Sequence, residues 1–402
     1  MATGIYFTMT NRTSGSETFA VPQRILLGPG PSNANPQVLK AMATPMIGYL
    51  DPDFLVVMDE VSSMLKVLFQ SEDGIAMPIS GTGSSGMEAG ISSLLEPGDT
   101  AIICVHGFFG ERMVDMAQRI GANVVALRSD WGHPFPPEML ENELKKHTDV
   151  KMVSIVHAET STGILQPMDD ICFLTKDYDT LFMVDAVTSL GGSQVNFSKW
   201  GADYCYSATQ KCLAAPPGMS PTVLSDRGLD VVKNRSVKPV SWYLDLNLIA
   251  NYWFGHVYHH TVPVSLVVGL REAIRIILDE GIQNRINRHM KNAEALRAGL
   301  EALGLELVTS PENRLDQITP IWVPDGVDED ALRNILLREF GIEIGKGLGE
   351  FAGKVLRIGL MGDSSKSELV ILLLEALEQT LPRLGFEVPY RAGVSRASDL
   401  LE

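Results

Sequence analysis

Cysteine is scarce in this chain: four in 402 residues, at Cys104, Cys172, Cys205 and Cys212. None is spaced as a close metal-ligand pair, and so few in this length make no disulfide framework. A reducing, cytoplasmic setting is therefore expected. Long apolar runs are missing too. No stretch of about 20 apolar residues is there to cross a bilayer, so no membrane partner is expected. Met1 to Glu17 lacks the cationic flank and apolar core of a secretory signal, and Leu400-Leu401-Glu402 is no peroxisomal address. Basic residues fall short of acidic ones, 33 against 49, which leaves a formal net charge of −16. A chain this acidic is repelled by nucleic acid and by anionic membrane surfaces. It can still hold a small anion where a few cationic or N–H groups converge. What remains is the composition of an ordinary globular protein, 45% hydrophobic and 20% charged, long enough for a sizeable core.

The most informative stretch is Ser207-Ala208-Thr209-Gln210-Lys211-Cys212-Leu213-Ala214-Ala215-Pro216-Pro217-Gly218. One lysine sits among small and polar side chains, behind a strand-like segment (Ala202 to Tyr206) and ahead of a Pro-Pro-Gly turn. Two readings are open. The lysine points to water from a strand end, or it is held in an apolar setting, where its amine loses a proton and attacks a carbonyl. A second run, Leu181-Phe182-Met183-Val184-Asp185, reads as a buried strand whose carboxylate emerges at the C-terminal end. Open α/β sheets bind their ligands at that end.

A third run carries an apolar strand, Ile75 to Ser80, into Gly81-Thr82-Gly83-Ser84-Ser85-Gly86 and then a helix through Leu95. Glycines let the backbone approach a phosphate, and a helix N-terminus offers free N–H groups and a positive dipole end. Thr82 and Ser84 add hydroxyls. The same run matches the dinucleotide pattern Gly81-x-Gly83-x-x-Gly86, which also requires an acid at the end of the next strand to hold a ribose. That strand, Ala101 to Val105, ends in His106-Gly107-Phe108-Phe109, so an NAD-binding oxidoreductase is disfavoured. An aromatic at this place can stack on a flat ring or join the core.

The strand Lys151 to Val156 runs into His157-Ala158-Glu159-Thr160-Ser161-Thr162-Gly163, a hydroxyl-rich end suited to hydrogen bonding. His157 and Glu159 have no third ligand beside them and are not read as a metal site. Late in the chain, Arg357 interrupts an alternating apolar strand. A buried guanidinium needs an anionic partner. That partner is a substrate carboxylate held by two parallel bonds, or a carboxylate of the protein itself.

These separated motifs resemble the class V, fold-type I pyridoxal-phosphate aminotransferases, in particular the alanine–glyoxylate / serine–pyruvate branch, across residues 24 to 385. The resemblance implies pyridoxal 5'-phosphate as cofactor, Lys211 as the catalytic amine and Asp185 beside the pyridine nitrogen. It puts Phe109 on the ring face, where relatives often carry tryptophan. It sets the phosphate against Thr82, Gly83, Ser84 and Gln210, with Tyr258 and Thr261 supplied by the neighbouring subunit of a homodimer. Arg357 takes the substrate carboxylate, and Gly28 and Thr160 border the substrate; many relatives have serine in place of Thr160. The implied reaction moves an amino group from alanine or serine to glyoxylate or pyruvate by a ping-pong cycle. Relatives of the same fold act on ureidoglycine, pyridoxamine or phosphonates, and the motifs do not separate these. Cysteine desulfurases need a nucleophilic cysteine well beyond the lysine, and the last cysteine here is Cys212.

The β-α-β-α alternation, with the resemblance, predicts an α/β fold: a mainly parallel, seven-stranded-type sheet with helices on both faces, and a smaller C-terminal α/β domain. The expected divisions are an arm at 1–23, a large cofactor-binding domain at 24–280, a small domain at 281–390 and a tail at 391–402. A helix is expected from Arg112 to Gly121. Pro221 is read as lying near the start of its strand, where proline is tolerated. In the small domain, strands are expected near Leu307, at Ile318–Val323 and at Ile342–Ile344, with helices at Glu329–Phe340 and Lys366–Leu384.

Overall fold

The computed structural model describes residues 20–402, so residues 1–19 of the expected arm lie outside the described residues. A short strand, β1 (Ile25–Leu26), leads to two helices, α1 (Pro36–Met42) and α2 (Pro52–Phe69). Each starts on a proline, which gives up no needed donor at a first helical position. The residue before each proline caps the helix: the Asn35 side chain accepts from the Gln37 N–H, and the Asp51 side chain from the Asp53 N–H.

Strands and helices then alternate: β2 (Ile75–Ser80), α3 (Gly83–Leu94), β3 (Thr100–Val105), α4 (Phe108–Arg119), β4 (Asn123–Arg128), α5 (Pro137–Leu144) and β5 (Val150–Val156). A small hairpin, β6 (Ala158–Glu159) with β7 (Ile164–Leu165), precedes α6 (Asp169–Asp177), β8 (Leu181–Asp185), α7 (Phe197–Trp200), β9 (Tyr204–Tyr206) and β10 (Met219–Leu224). Four helices follow: α8 (Asp226–Lys233), α9 (Leu246–Gly255), α10 (Val264–Glu280) and α11 (Ile282–Ala302). The last two are separated by Gly281 alone, at φ +84°.

The seven-stranded sheet has the order β2-β10-β9-β8-β5-β3-β4. Only β10 is reversed; it pairs antiparallel with β2 and with β9, and every other pair is parallel. The α/β architecture with a mainly parallel sheet is thus present. Its inner strands are buried along nearly their whole length, as covering both faces with helices demands. The shared direction brings the C-terminal ends of β2, β3, β5, β8 and β9 to one edge, and the loops that follow them meet there.

Pro221 stands in the middle of β10, inside the sheet rather than at an edge. It faces Pro78 across the β2 pair. On the β9 side the missing N–H is replaced: the Ser220 hydroxyl donates to Ser207 O at 2.6 Å. This substitution by a neighbouring side chain is what makes an interior proline tolerable.

The remainder comprises β11 (Ile318–Trp322), α12 (Glu329–Glu339), β12 (Ile342–Glu343), β13 (Gly345–Lys346), β14 (Val355–Gly359), α13 (Ser367–Thr380) and α14 (Ala392–Leu401). Strands β11, β14 and β13 form an antiparallel sheet, while β12 pairs in parallel with β1. Leu27, Leu296, Ile321, Ile358 and Leu373 belong to a core of their own, apart from the core of the large sheet. The strand expected near Leu307 is reduced to a single bridge with Ile321. Pro320 has no N–H to extend that ladder. The segment 391–402, read as a tail, contains helix α14, with Ala397 buried. It approaches α11 where both helices carry glycine: a Cβ on Gly299 would lie 3.0 Å from Gly393 O. Its start has no side-chain cap, and Arg391 before it sits at φ +54°, so no local signal announces it. Among the described residues, no helix is long and apolar enough to cross a membrane.

Candidate active site

Lys211 follows β9 in the loop from which β10 turns back. Its side chain is buried rather than pointing to water. Its Nζ donates to Pro29 O. Gly30 makes this approach possible, since a Cβ there would fall 2.6 Å from Nζ. Burial pushes the lysine pKa down to about 8, and the Arg357 charge pushes the same way. An amine with so small a preference for its proton is a ready nucleophile.

Asp185 ends β8, next to β9 in the sheet. Its Oδ2 accepts from the Tyr206 hydroxyl at 2.5 Å, and its Oδ1 from the Val187 N–H at 2.8 Å. Burial raises its pKa to about 6, opposed by those two hydrogen bonds and by the charges of Lys211 and Arg112.

Both groups open on one cavity of about 230 Å³. The loop after β2 contributes Thr82, Gly83 and Ser84; the start of α4 contributes Phe109; the turn between β6 and β7 contributes Thr160; and Gln210 joins Lys211 from the loop after β9. No side chain caps the start of α3, which leaves its first N–H groups for a ligand. Gly83 has no room for a side chain: a Cβ would meet Ala208 Cβ at 3.0 Å and Val187 Cγ2 at 3.1 Å. The Gln210 amide, whose two ends exchange on a flip, buries one end without a partner.

Helix α4 begins at Phe108, four residues before the expected Arg112. Its capping groups come from far along the chain. Glu159 Oε2 accepts from the Phe109 N–H at 3.1 Å, and Ser161 Oγ from the Phe108 N–H at 2.9 Å. These contacts fix the backbone that carries the Phe109 ring.

Arg357 lies in the middle of β14, almost fully buried. Among the described residues, no carboxylate lies within 4.0 Å of its guanidinium. Its Nε donates to Lys346 O at 2.8 Å and its Nη1 to Thr160 O at 3.1 Å. Burial lowers its pKa to about 10, against the opposing pull of Glu159. It does not line the cavity wall but is joined to it through Thr160.

Three other expected residues lie off the cavity. Gly28 is wedged against the small sheet, where a Cβ on Gly359 would fall 2.0 Å from Gly28 O. Its successors Pro29 and Gly30 touch Lys211 instead. Tyr258 and Thr261 are exposed, their hydroxyls 3.5 Å apart. Between them, His260 Nε2 meets Ser80 Oγ at 2.7 Å and ties this segment to the end of β2. Tyr206 and Arg112 line the cavity without having been singled out from the sequence. Tyr206 reads locally as one more apolar strand residue, and Arg112 as an ordinary helix surface charge.

The donor set fits pyridoxal phosphate: a buried amine, a buried carboxylate one strand away, an aromatic side chain, and a neutral cradle at a helix start. A family model for aminotransferase class-V matches residues 53–369. The chain is 37% identical to the (S)-ureidoglycine–glyoxylate transaminase of Bacillus subtilis (strain 168), across 97% of its own length and 98% of that protein's. It is 39% identical to the alanine–glyoxylate aminotransferase of Callithrix jacchus, over 90% and 88% of the two chains. The crystal structure of an alanine–glyoxylate aminotransferase from Nostoc sp. superposes with a TM-score of 0.90 at 47% identity, covering 92% of this chain and 98% of that one. The chain belongs to the class V aminotransferases, fold-type I enzymes that depend on pyridoxal phosphate.

Proposed function

We propose that the protein transfers an amino group from a small L-amino acid, alanine or serine, to a small 2-oxo acid, glyoxylate or pyruvate, in a ping-pong cycle. The observation that carries this reading is Arg357: a buried guanidinium near the Lys211 amine, with no carboxylate within 4.0 Å of it among the described residues. When bound, pyridoxal phosphate supplies a carbonyl that condenses with amines and a ring that takes up the electron pair left at Cα.

The chain's own residues do the rest. Thr82, Gly83, Ser84 and Gln210 hold the phosphate by neutral donors. Phe109 covers one ring face. Asp185 keeps the proton on the ring nitrogen. Arg357 clamps the substrate carboxylate, with Thr160 at the border of the pocket and Pro29 and Gly30, the successors of Gly28, against Lys211. Lys211 Nζ would take the proton from the substrate Cα and hold it for the return step, as its buried amine allows. Tyr258 and Thr261 face outward on their own subunit, which supports a homodimer in which they complete the site of the other copy. A large domain at 24–280 and a small one at 281–390 fit this division of labour, with Lys211 on the first and Arg357 on the second.

Similarity to the Bacillus subtilis transaminase favours a second reading, with ureidoglycine as donor. The deciding experiment offers glyoxylate with L-alanine, L-serine or ureidoglycine and follows glycine formation. Turnover with alanine, with matching pyruvate, is the expected result. Turnover with ureidoglycine alone overturns the donor assignment and leaves the cofactor chemistry intact.

A further inference from the structure

The cavity contains an arginine that the scheme above leaves unused. Arg112 lines the cavity beside Ser84, and its Nη1 donates to Ser84 Oγ at 3.0 Å. Its guanidinium carbon lies 4.9 Å from the centre of the Phe109 ring. Among the described residues, no carboxylate comes within 4.0 Å of it. The adjacent Glu111 is engaged elsewhere, with both oxygens on Arg128 at 2.6 and 2.9 Å.

Among the described residues, Lys211 and Arg112 are the two cations lining this cavity. The lysine is reserved for the carbonyl. The cradle formed by Thr82, Gly83, Ser84 and Gln210 offers only neutral donors, whereas a phosphate monoester carries between one and two negative charges at neutral pH. In a protein of formal net charge −16, that charge needs a local cation. We propose that Arg112 is that cation: it is a ligand-binding residue for the phosphate monoester of the cofactor, acting together with the Ser84 hydroxyl. This inference rests on the phosphate cradle proposed above.

The test measures binding to the cofactor-free full-length protein, without turnover. Affinities for pyridoxal phosphate and for pyridoxal, which lacks the phosphate, are determined for the unaltered chain, Arg112→Gln and Arg112→Lys. Arg112→Gln is expected to weaken pyridoxal phosphate by about tenfold to a hundredfold, the worth of one charge-assisted bond. Pyridoxal affinity is expected to stay unchanged, and Arg112→Lys to recover most of the loss. Inorganic phosphate should compete with pyridoxal phosphate for the unaltered chain and compete less for Arg112→Gln. An equal loss for both ligands overturns the proposal and assigns Arg112 to supporting the Phe109 ring. Unchanged pyridoxal phosphate affinity also overturns it, leaving the guanidinium for a substrate group. If the unaltered chain binds both ligands equally, the cradle itself fails, a result distinct from a failure of Arg112.

Discussion

Two buried side chains, Lys211 and Asp185, are displaced toward each other in acidity, and burial is the first cause for both. The sign for Lys211 follows from its folded pKa of about 8 against the ordinary 10.5. The folded chain binds fewer protons than the unfolded one between those values, so this group makes stability rise with pH across that window. Lys211→Met should stabilise the cofactor-free protein at neutral pH by roughly 3 kcal/mol, with the gain vanishing as pH approaches the ordinary lysine range. Urea unfolding of both proteins at several pH values measures this. Asp185 is held down only by its partners, chiefly the Tyr206 hydroxyl. Tyr206→Phe should therefore move the acidic limb of the kcat/KM profile upward by about one pH unit. A profile that does not shift would remove Tyr206 from the acid–base machinery. The Tyr206 contact could not be read in the sequence, because the two residues belong to adjacent strands 21 positions apart. Asp185 was legible because it ends an apolar run, and Lys211 because it stands among small and polar side chains ahead of a Pro-Pro-Gly turn.

Among the secondary-structure elements, the parallel strands and their following helices were legible because their apolar runs and glycine turns are local. The start of α4 was not. Its caps lie on Glu159 and Ser161, so the positions of Phe108 and Phe109 depend on a distant loop. Helix α14 escaped for a related reason: it has no cap of its own and depends on glycines in α11 and at its own start. Gly299→Ala puts this to the test. Helix propensity alone predicts a gain of about 1 kcal/mol. The Cβ, however, would lie 2.4 Å from Leu374 Cδ1 and 3.0 Å from Gly393 O. The expected net result is a loss of about 1–3 kcal/mol, seen as a lower urea midpoint. A higher midpoint would mean that α14 gives way easily.

On the whole molecule, Met46, Leu50, Val240, Trp242, Val257 and Tyr258 are all exposed, in segments flanking the outward-facing Tyr258 and Thr261. Large apolar surface of this kind fits burial by a second copy. If each site draws on both copies, Lys211→Ala mixed with a Tyr258→Phe, Thr261→Val double variant should regain activity after subunit exchange. Each parent should be impaired alone. Mixtures no better than their parents would confine the site to one subunit.

Residues 25–35 reach far along the chain. Leu27 O accepts from the Gly359 N–H at 2.7 Å, the Ser32 N–H donates to Gln210 O at 2.8 Å, and the Asn35 N–H donates to Ala214 O at 2.9 Å. On a ribosome these residues emerge well before any of their partners. The wall of the pocket facing Lys211 therefore cannot close until position 359 has also emerged. Contacts this distant in sequence form slowly. A nascent chain can assemble much of its large sheet early, yet it gains a complete cofactor pocket only after residue 359 has been added.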